Sequence, residues 1–335
     1  MGVEHELLKR IKELCVNFQY RQAHELCKQL EPSSIHKELL DMLEERILKV
    51  EETLKEVDSA SDDWIHGLDY FGISTHYKVS SDRGILTVKL EGIMDDLPLF
   101  EQVSVLYETD LYKLWVPFCD ESIKIYTIGH AELLAYLNIS LPMVISRDTV
   151  IHAYACDLLE EEGKLILIGK SVHEKIDKFK EKYSELADNT FKTTPLKPIT
   201  WFHNRCNVLD FKAIMEPVSP TSVKTTIIAT MEPNLVLPQF LINFIIKNIA
   251  GLFLYFFTNQ VKKIVNTNAT PPSPCQYRGH SLTHSLTHSL THSLNHVEKI
   301  LKNPEFYCDW IVPKLKHFME IKGWEYKQSP LLPVV

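Results

Sequence analysis

The sequence predicts an α+β protein in which a curved antiparallel sheet, with helices packed on it, is closed by one long apolar helix. Three observations predict it. Strand patterns follow one another without a helix between each pair, which argues against a doubly wound parallel sheet. From Leu235 to Phe257 the chain is apolar apart from Gln239, Asn243 and Lys247, which recur every fourth residue, with Asn248 beside them and Asn259 extending the stripe. The composition, 45% hydrophobic with 11 Gly in 335 residues, supplies a core and excludes a collagenous or wholly disordered chain.

In chain order, residues 3–57 read as a hairpin of two helices. Leu7, Ile11, Leu14, Phe18 and Leu26 keep helical spacing until Glu31-Pro32-Ser33-Ser34 breaks the first. Ser34 then caps a second, striped by Leu39, Leu40, Leu43, Ile47, Val50 and Leu54. The hairpin is either a partner-binding module or an extension packed on the main domain. After the linker 58–63 come strand patterns at Ile73–Val79 and Ile85–Glu91, then a helix over 97–116. Further strands are predicted at Ser122–Ile128, Thr149–Leu158, Leu165–Val172, Trp201–Glu216 and Val223–Met231, with a charged, then Pro/Thr-rich excursion at 173–198. The apolar helix 235–264 follows. About 20 apolar residues can span a bilayer, but a lysine near the centre costs roughly 2.5–3.5 kcal/mol on insertion scales. The run is therefore read as a helix that covers something large and oily.

In the tail, His280-Ser281-Leu282-Thr283 recurs to give His284, His288, His292 and His296 at four-residue spacing. Such a face suits a metal, yet no acidic partner is interleaved, and a low-complexity loop is the simpler reading. A last amphipathic helix spans about 297–321, limited by Pro304 and Pro313.

The charge balance, 36 basic against 44 acidic residues, argues against nucleic acid as a partner. Seven scattered cysteines without a C-x-x-C fit a reducing compartment rather than a disulfide framework. The first residues carry no secretory pattern, and Glu6 stands where a myristoylation signal has Ser or Thr. A cytoplasmic protein with peripheral membrane association is expected. No phosphate-binding, nucleophile-elbow or zinc-protease motif is present, and no cofactor or metal is expected. His152 and Cys156 share a strand face but stand about 13 Å apart, too far for an activated pair. His203 and Asp210 remain as weak candidates for cavity chemistry.

Several segments, in this order, resemble a known family. Trp115-Val116-Pro117-Phe118 follows the predicted helix, Ser146-Arg147-Asp148 precedes a strand, Lys170-Ser171-Val172 ends the next, and Pro233-Asn234-Leu235-Val236-Leu237-Pro238 turns into the apolar helix. The ordered set, over about 62–264, resembles the START (StAR-related lipid transfer) family of the Bet v1-like superfamily. The resemblance implies a helix-grip fold with a tunnel for one lipid, and divides the chain into a hairpin (1–60), a START-like domain (61–264) and a tail (265–335). It implies lipid contacts at Trp115, Phe118, Arg147, Thr149, Ile151, Ala153, Ala155, His203, Phe240, Leu241, Phe244, Ile245, Asn248 and Leu252. Arg147 and Asp148 would form an ion pair, or Arg147 would meet a headgroup. Sterol-binding members place a buried arginine at the position matching Ala153 and an acid at about Leu134; both are apolar here, which disfavours sterol and leaves a phospholipid or another hydrophobic ligand. The expected function is lipid binding and intermembrane transfer. The alternatives are an adaptor acting through residues 3–57 and a hydrolase or cyclase working in the cavity.

Overall fold

The computed structural model describes residues 2–30, 37–58, 63–70, 72–80, 85–141, 145–172, 196–232, 251–266, 295–296, 298–327 and 329. The predicted helix over 235–250, the turn at 233–238 and the repeat at 280–294 lie outside these residues, as does most of the 173–198 excursion.

The N-terminal region holds three helices, α1 (Gly2–Val16), α2 (Tyr20–Cys27) and α3 (Lys37–Asp58), not the two expected. The first predicted helix breaks because Phe18 takes a left-handed φ of 62°. That conformation costs a non-glycine residue roughly 1–2 kcal/mol. It is offset by burial of the ring, which meets Tyr20 at 6.0 Å and Trp310 at 5.6 Å.

Among the described residues ten strands form one sheet: β1 (Ile65–Tyr70), β2 (Ile73–Val79), β3 (Leu86–Met94), β4 (Cys119–Ile128), β5 (Glu132–Ile139), β6 (Ser146–Leu158), β7 (Lys164–Ser171), β8 (His203–Arg205), β9 (Asn207–Pro217) and β10 (Val223–Glu232). The order is β1-β2-β3-β10-β9-β7-β6-β5-β4, antiparallel throughout, with β8 lying parallel to the start of β6. The predicted strands are present, and β1 and β5 are additional. The run 201–216 divides: Trp201 and Phe202 form a turn, and β8 and β9 are separated at Cys206. The helix predicted over 97–116 is three pieces, α4 (Leu99–Tyr107), a 3-10 turn (Thr109–Leu111) and α5 (Tyr112–Trp115). A short α6 (Leu159–Glu162) joins β6 to β7, and α7 (Gly251–Val265) is the described end of the apolar helix. The C-terminal helix begins as a π-helix (Glu305–Ile311) before α8 (Val312–Ile321). No described helix is long and apolar enough to cross a membrane.

Helices cover both faces of the sheet. On the outer face lies α3, joined to it by Lys212 with Glu56, Lys170 with Glu45 (3.3 Å) and Arg46 with Glu132 (2.8 Å). On the inner face, Gln102 of α4 accepts a hydrogen bond from Thr225 Oγ1 of β10 (3.0 Å), and α7 packs on α4 and α5. The C-terminal segment closes one end. Phe306 stacks on Tyr107 with centroids 3.7 Å apart, the Tyr307 hydroxyl donates to Glu108 (2.9 Å), and Lys314 pairs with Asp157 (2.6 Å).

Candidate functional site

Side chains alternate across a strand, so the pairing register fixes the composition of each face. On β6 the inner set is Arg147, Thr149, Ile151, Ala153 and Ala155. Opposite them stand Leu137, Ala135 and Leu133 of β5, and Ser171, Gly169 and Leu167 of β7. Beyond β7 the inner face continues through Phe211 and Ala213 of β9 to Ala229 and Ile227 of β10. Its middle therefore interleaves small residues, Ala135, Ala153, Ala155, Gly169, Ala213 and Ala229, with Leu133, Ile151, Leu167, Phe211 and Ile227. Gly169 has its own reason. A Cβ there would stand 3.3 Å from Ile151 Cγ2 and 3.4 Å from the Ala153 Cβ.

The outer face of the same strands is bulky, with Leu134, Tyr136, His152, Tyr154, Ile166, Ile168 and Lys212. An antiparallel sheet with one solvated face would show a polar outside; here both sides are covered, and the small residues belong to one side only.

Over the inner face stands an aromatic wall. The Trp115 ring, 5% exposed, packs on Phe253 and Phe257 of α7 at 5.5 and 5.8 Å and on Tyr112 at 5.2 Å. Among the described residues its buried indole N–H has no hydrogen-bond partner. Phe118 is half-buried, and its left-handed φ of 62° turns the chain from α5 into β4. Leu252, beside Phe253, is half-buried on α7.

The polar groups of the inner face gather at one end. Thr149 and Ser171 exchange a hydrogen bond (2.9 Å), and Ser171 also accepts from the Val208 N–H (2.7 Å). Arg147, 8% exposed, donates to the Ile145 carbonyl (2.6 Å), and burial lowers its pKa. Nearby, burial pushes the Cys206 thiol up to about 11.

The structure thus brings Trp115, Arg147, Thr149, Ile151, Ala153 and Ala155 to the inner side of the sheet. Phe240, Leu241, Phe244, Ile245 and Asn248 lie outside the described residues. His203 is placed elsewhere. Its Nε2 stands 3.1 Å from Asp148 Oδ2, and Asp148 is on the outer face because it alternates with Arg147. Asp148 pairs with Arg205, whereas Arg147, the partner expected for it, stands on the opposite face of β6. Asp210 is also on the outer face, joined to Lys212 (2.6 Å) and Lys49 (3.4 Å). The partner of Ala153 across β5 is Leu133, while Leu134 opposes His152 on the outer face.

The sequence reading missed Gln102, Thr225, Ser171, Phe211 and Ala213. They come from strands or helices distant in sequence: the register puts Ser171, Phe211, Ala213 and Thr225 on the inner face with Ala153, and the hydrogen bond from Thr225 brings Gln102 to it.

Among solved structures, human StAR-related lipid transfer protein 5 superposes with a TM-score of 0.51 at 17% identity, over 67% of this chain and 98% of that one. The chain has the START helix-grip fold. Human STARD10 matches at 15% identity with a TM-score of 0.49, over 79% of this chain and 86% of that one. A STAR-related lipid transfer protein fragment from Xanthomonas axonopodis gives 15% and 0.45, over 60% and 99%. No family model matches the sequence, and no curated protein matches it significantly.

Proposed function

We propose that the protein binds one lipid between the inner face of the sheet and its C-terminal apolar helix, and moves it between membranes. The observation that supports this most directly is the asymmetry of the sheet: alanines and a glycine are interleaved with larger apolar residues on the inner face only, under a helix whose sequence is apolar on a broad face. Packing a plain core would favour larger side chains at Ala135, Ala153 and Ala213, since interiors fill to crystal-like density. Each acyl methylene buried there contributes about 0.8 kcal/mol, so one chain supplies ample binding energy without any strong polar contact. Phe240, Leu241, Phe244 and Ile245 belong to the helix segment expected to cover the chain, and the Trp115 N–H, without a partner among the described residues, stands in the same wall.

The polar end sets the head group. A guanidinium forks onto phosphate or carboxylate, and Arg147 stands with the Thr149 and Ser171 hydroxyls where a headgroup oxygen would find them. A phospholipid fits this chemistry better than a sterol. Native mass spectrometry of the purified protein, followed by lipid extraction, should find a bound phospholipid, and the protein should accelerate phospholipid exchange between vesicles. Arg147→Gln should reduce exchange of phospholipid about tenfold, on the scale of one charge-assisted hydrogen bond, while leaving the fold unchanged by circular dichroism. A protein that carries no lipid and does not speed exchange would refute the reading.

A further inference from the structure

Among the described residues, the most exposed large apolar side chains gather at one turn. Trp201 is 92% exposed and Phe202 83%, with Ile199 beside them at 66%. Scattered exposed leucines and valines are ordinary, but two adjacent aromatic rings in water are not.

The segment that carries the rings is firmly held. Thr200 and His203 bridge in both directions, N–H to carbonyl, at 2.8 and 3.4 Å, and the Phe202 N–H donates to Thr200 Oγ1 (3.2 Å). Trp201 and Phe202 are thus the two central residues of a tight reverse turn. Asp148, fully buried, ties both legs of that turn to β6. One oxygen accepts from the Lys197 backbone N–H (3.1 Å) and lies 3.1 Å from His203, the other binds Arg205, and the Asp148 carbonyl accepts from the Cys206 N–H (3.0 Å). A pinned stem spares the entropy of ordering the tip on contact with a partner.

We propose that the Trp201–Phe202 turn is a membrane anchor that inserts into the headgroup region of a phospholipid bilayer. Size favours a bilayer over a protein. Two aromatic side chains bury roughly 300–500 Å² between them, well below the ~800 Å² per partner of a stable protein interface. Tryptophan is enriched where hydrocarbon meets headgroups. Charge does not oppose it: there is no acidic residue between Asp188 and Asp210, and of the basic groups there Arg205 is paired with the buried Asp148 and Lys197 stands 3.7 Å from Glu121. The location of the turn also fits, since β8 pairs with Ser146–Asp148, beside Arg147 at the polar end of the inner face. The proposal does not depend on a lipid cargo, because adsorption to a bilayer and uptake of a lipid are separate measurements.

The full chain is floated with vesicles of equal parts phosphatidylcholine and phosphatidylserine. The native protein should float, and the double variant Trp201→Ala, Phe202→Ala should bind at least about tenfold more weakly, each ring contributing that order of affinity. Leu48→Ala, at a 61% exposed position on α3, should bind as the native protein does. Brominated lipid in the vesicles should quench native fluorescence, and Trp201→Phe should remove most of that quenching. The proposal fails if the native protein does not float or if the double variant floats as well as it does. It fails too if sedimentation shows a native dimer that the double variant converts to monomer, since the occupant would then be a second copy of the chain. Circular dichroism of the double variant should match the native protein, as both side chains are almost wholly in solvent.

Discussion

At the scale of the residue, the most consequential group outside the inner face is Glu132. It is 4% exposed and accepts hydrogen bonds from Arg46 (2.8 Å) and His152 (2.7 Å), while the Arg46 guanidinium lies 4.8 and 4.4 Å from the ring centres of Tyr20 and Tyr154. Burial raises the Glu132 pKa, but His152 and Arg46 together outweigh it and hold the carboxyl below its ordinary value of 4.5. A folded-state pKa below the unfolded one means stability that is present above the unfolded value and lost as pH falls through the folded one. Urea unfolding of the native protein should therefore weaken below about pH 4.5 as Glu132 takes up a proton. Glu132→Gln should be less stable near neutrality by about 3–5 kcal/mol, the cost of removing one partner of a buried pair, and its midpoint should fall less steeply in acid. A native-like acid profile in the variant would show that other carboxylates carry the effect. None of this network is visible in sequence: Arg46, Glu132 and His152 are far apart along the chain, and each reads alone as an ordinary polar residue.

At the scale of the element, the inner face of β6 offers a direct way to distinguish a packed core from a ligand groove. Ala153 is 9% exposed, opposite Leu133 and Gly169. In a filled core, Ala153→Leu forces neighbours off their rotamers and costs about 1–3 kcal/mol. In a groove, the added leucine occupies space that the lipid would take. The variant should then keep its unfolding midpoint and lose lipid uptake, measured by exchange between vesicles; lost stability with retained uptake would reverse the assignment. Alternation along one strand groups Thr149, Ile151, Ala153 and Ala155 on one face, and the family resemblance turned that face inward. Strand β5 was not legible, because Glu132 to Tyr136 are buried on both faces and the run shows no alternation to read. The break at Phe18 was equally hidden. Its helical spacing is correct, and only contacts with Tyr20 and with Trp310, nearly three hundred residues away, make the left-handed turn worthwhile.

At the scale of the whole molecule, the division into hairpin, START-like domain and tail that the sequence suggests describes the order of the chain better than its packing. One continuous core joins Ile11, Leu14 and Phe18 of the N-terminal helices, Leu99, Phe100 and Leu158 of the middle, and Phe306, Trp310 and Phe318 of the C-terminal segment. Trp310, 2% exposed, is a junction: its ring meets Phe18 at 5.6 Å, Phe306 at 5.3 Å and His130 at 6.2 Å. Composition alone could not show this, since an amphipathic stripe has the same pattern whether it packs on its own chain or on a partner. Independent domains would confine the effect of Trp310→Ala to the tail. A shared core predicts something different: a loss of about 3–5 kcal/mol, the usual cost of truncating a buried tryptophan, expressed in one cooperative unfolding transition. Far-ultraviolet circular dichroism, which reports mainly the sheet and helices, and tryptophan fluorescence should shift together to a lower urea midpoint. If fluorescence moves and circular dichroism does not, the C-terminal segment unfolds separately and the core is not shared in solution.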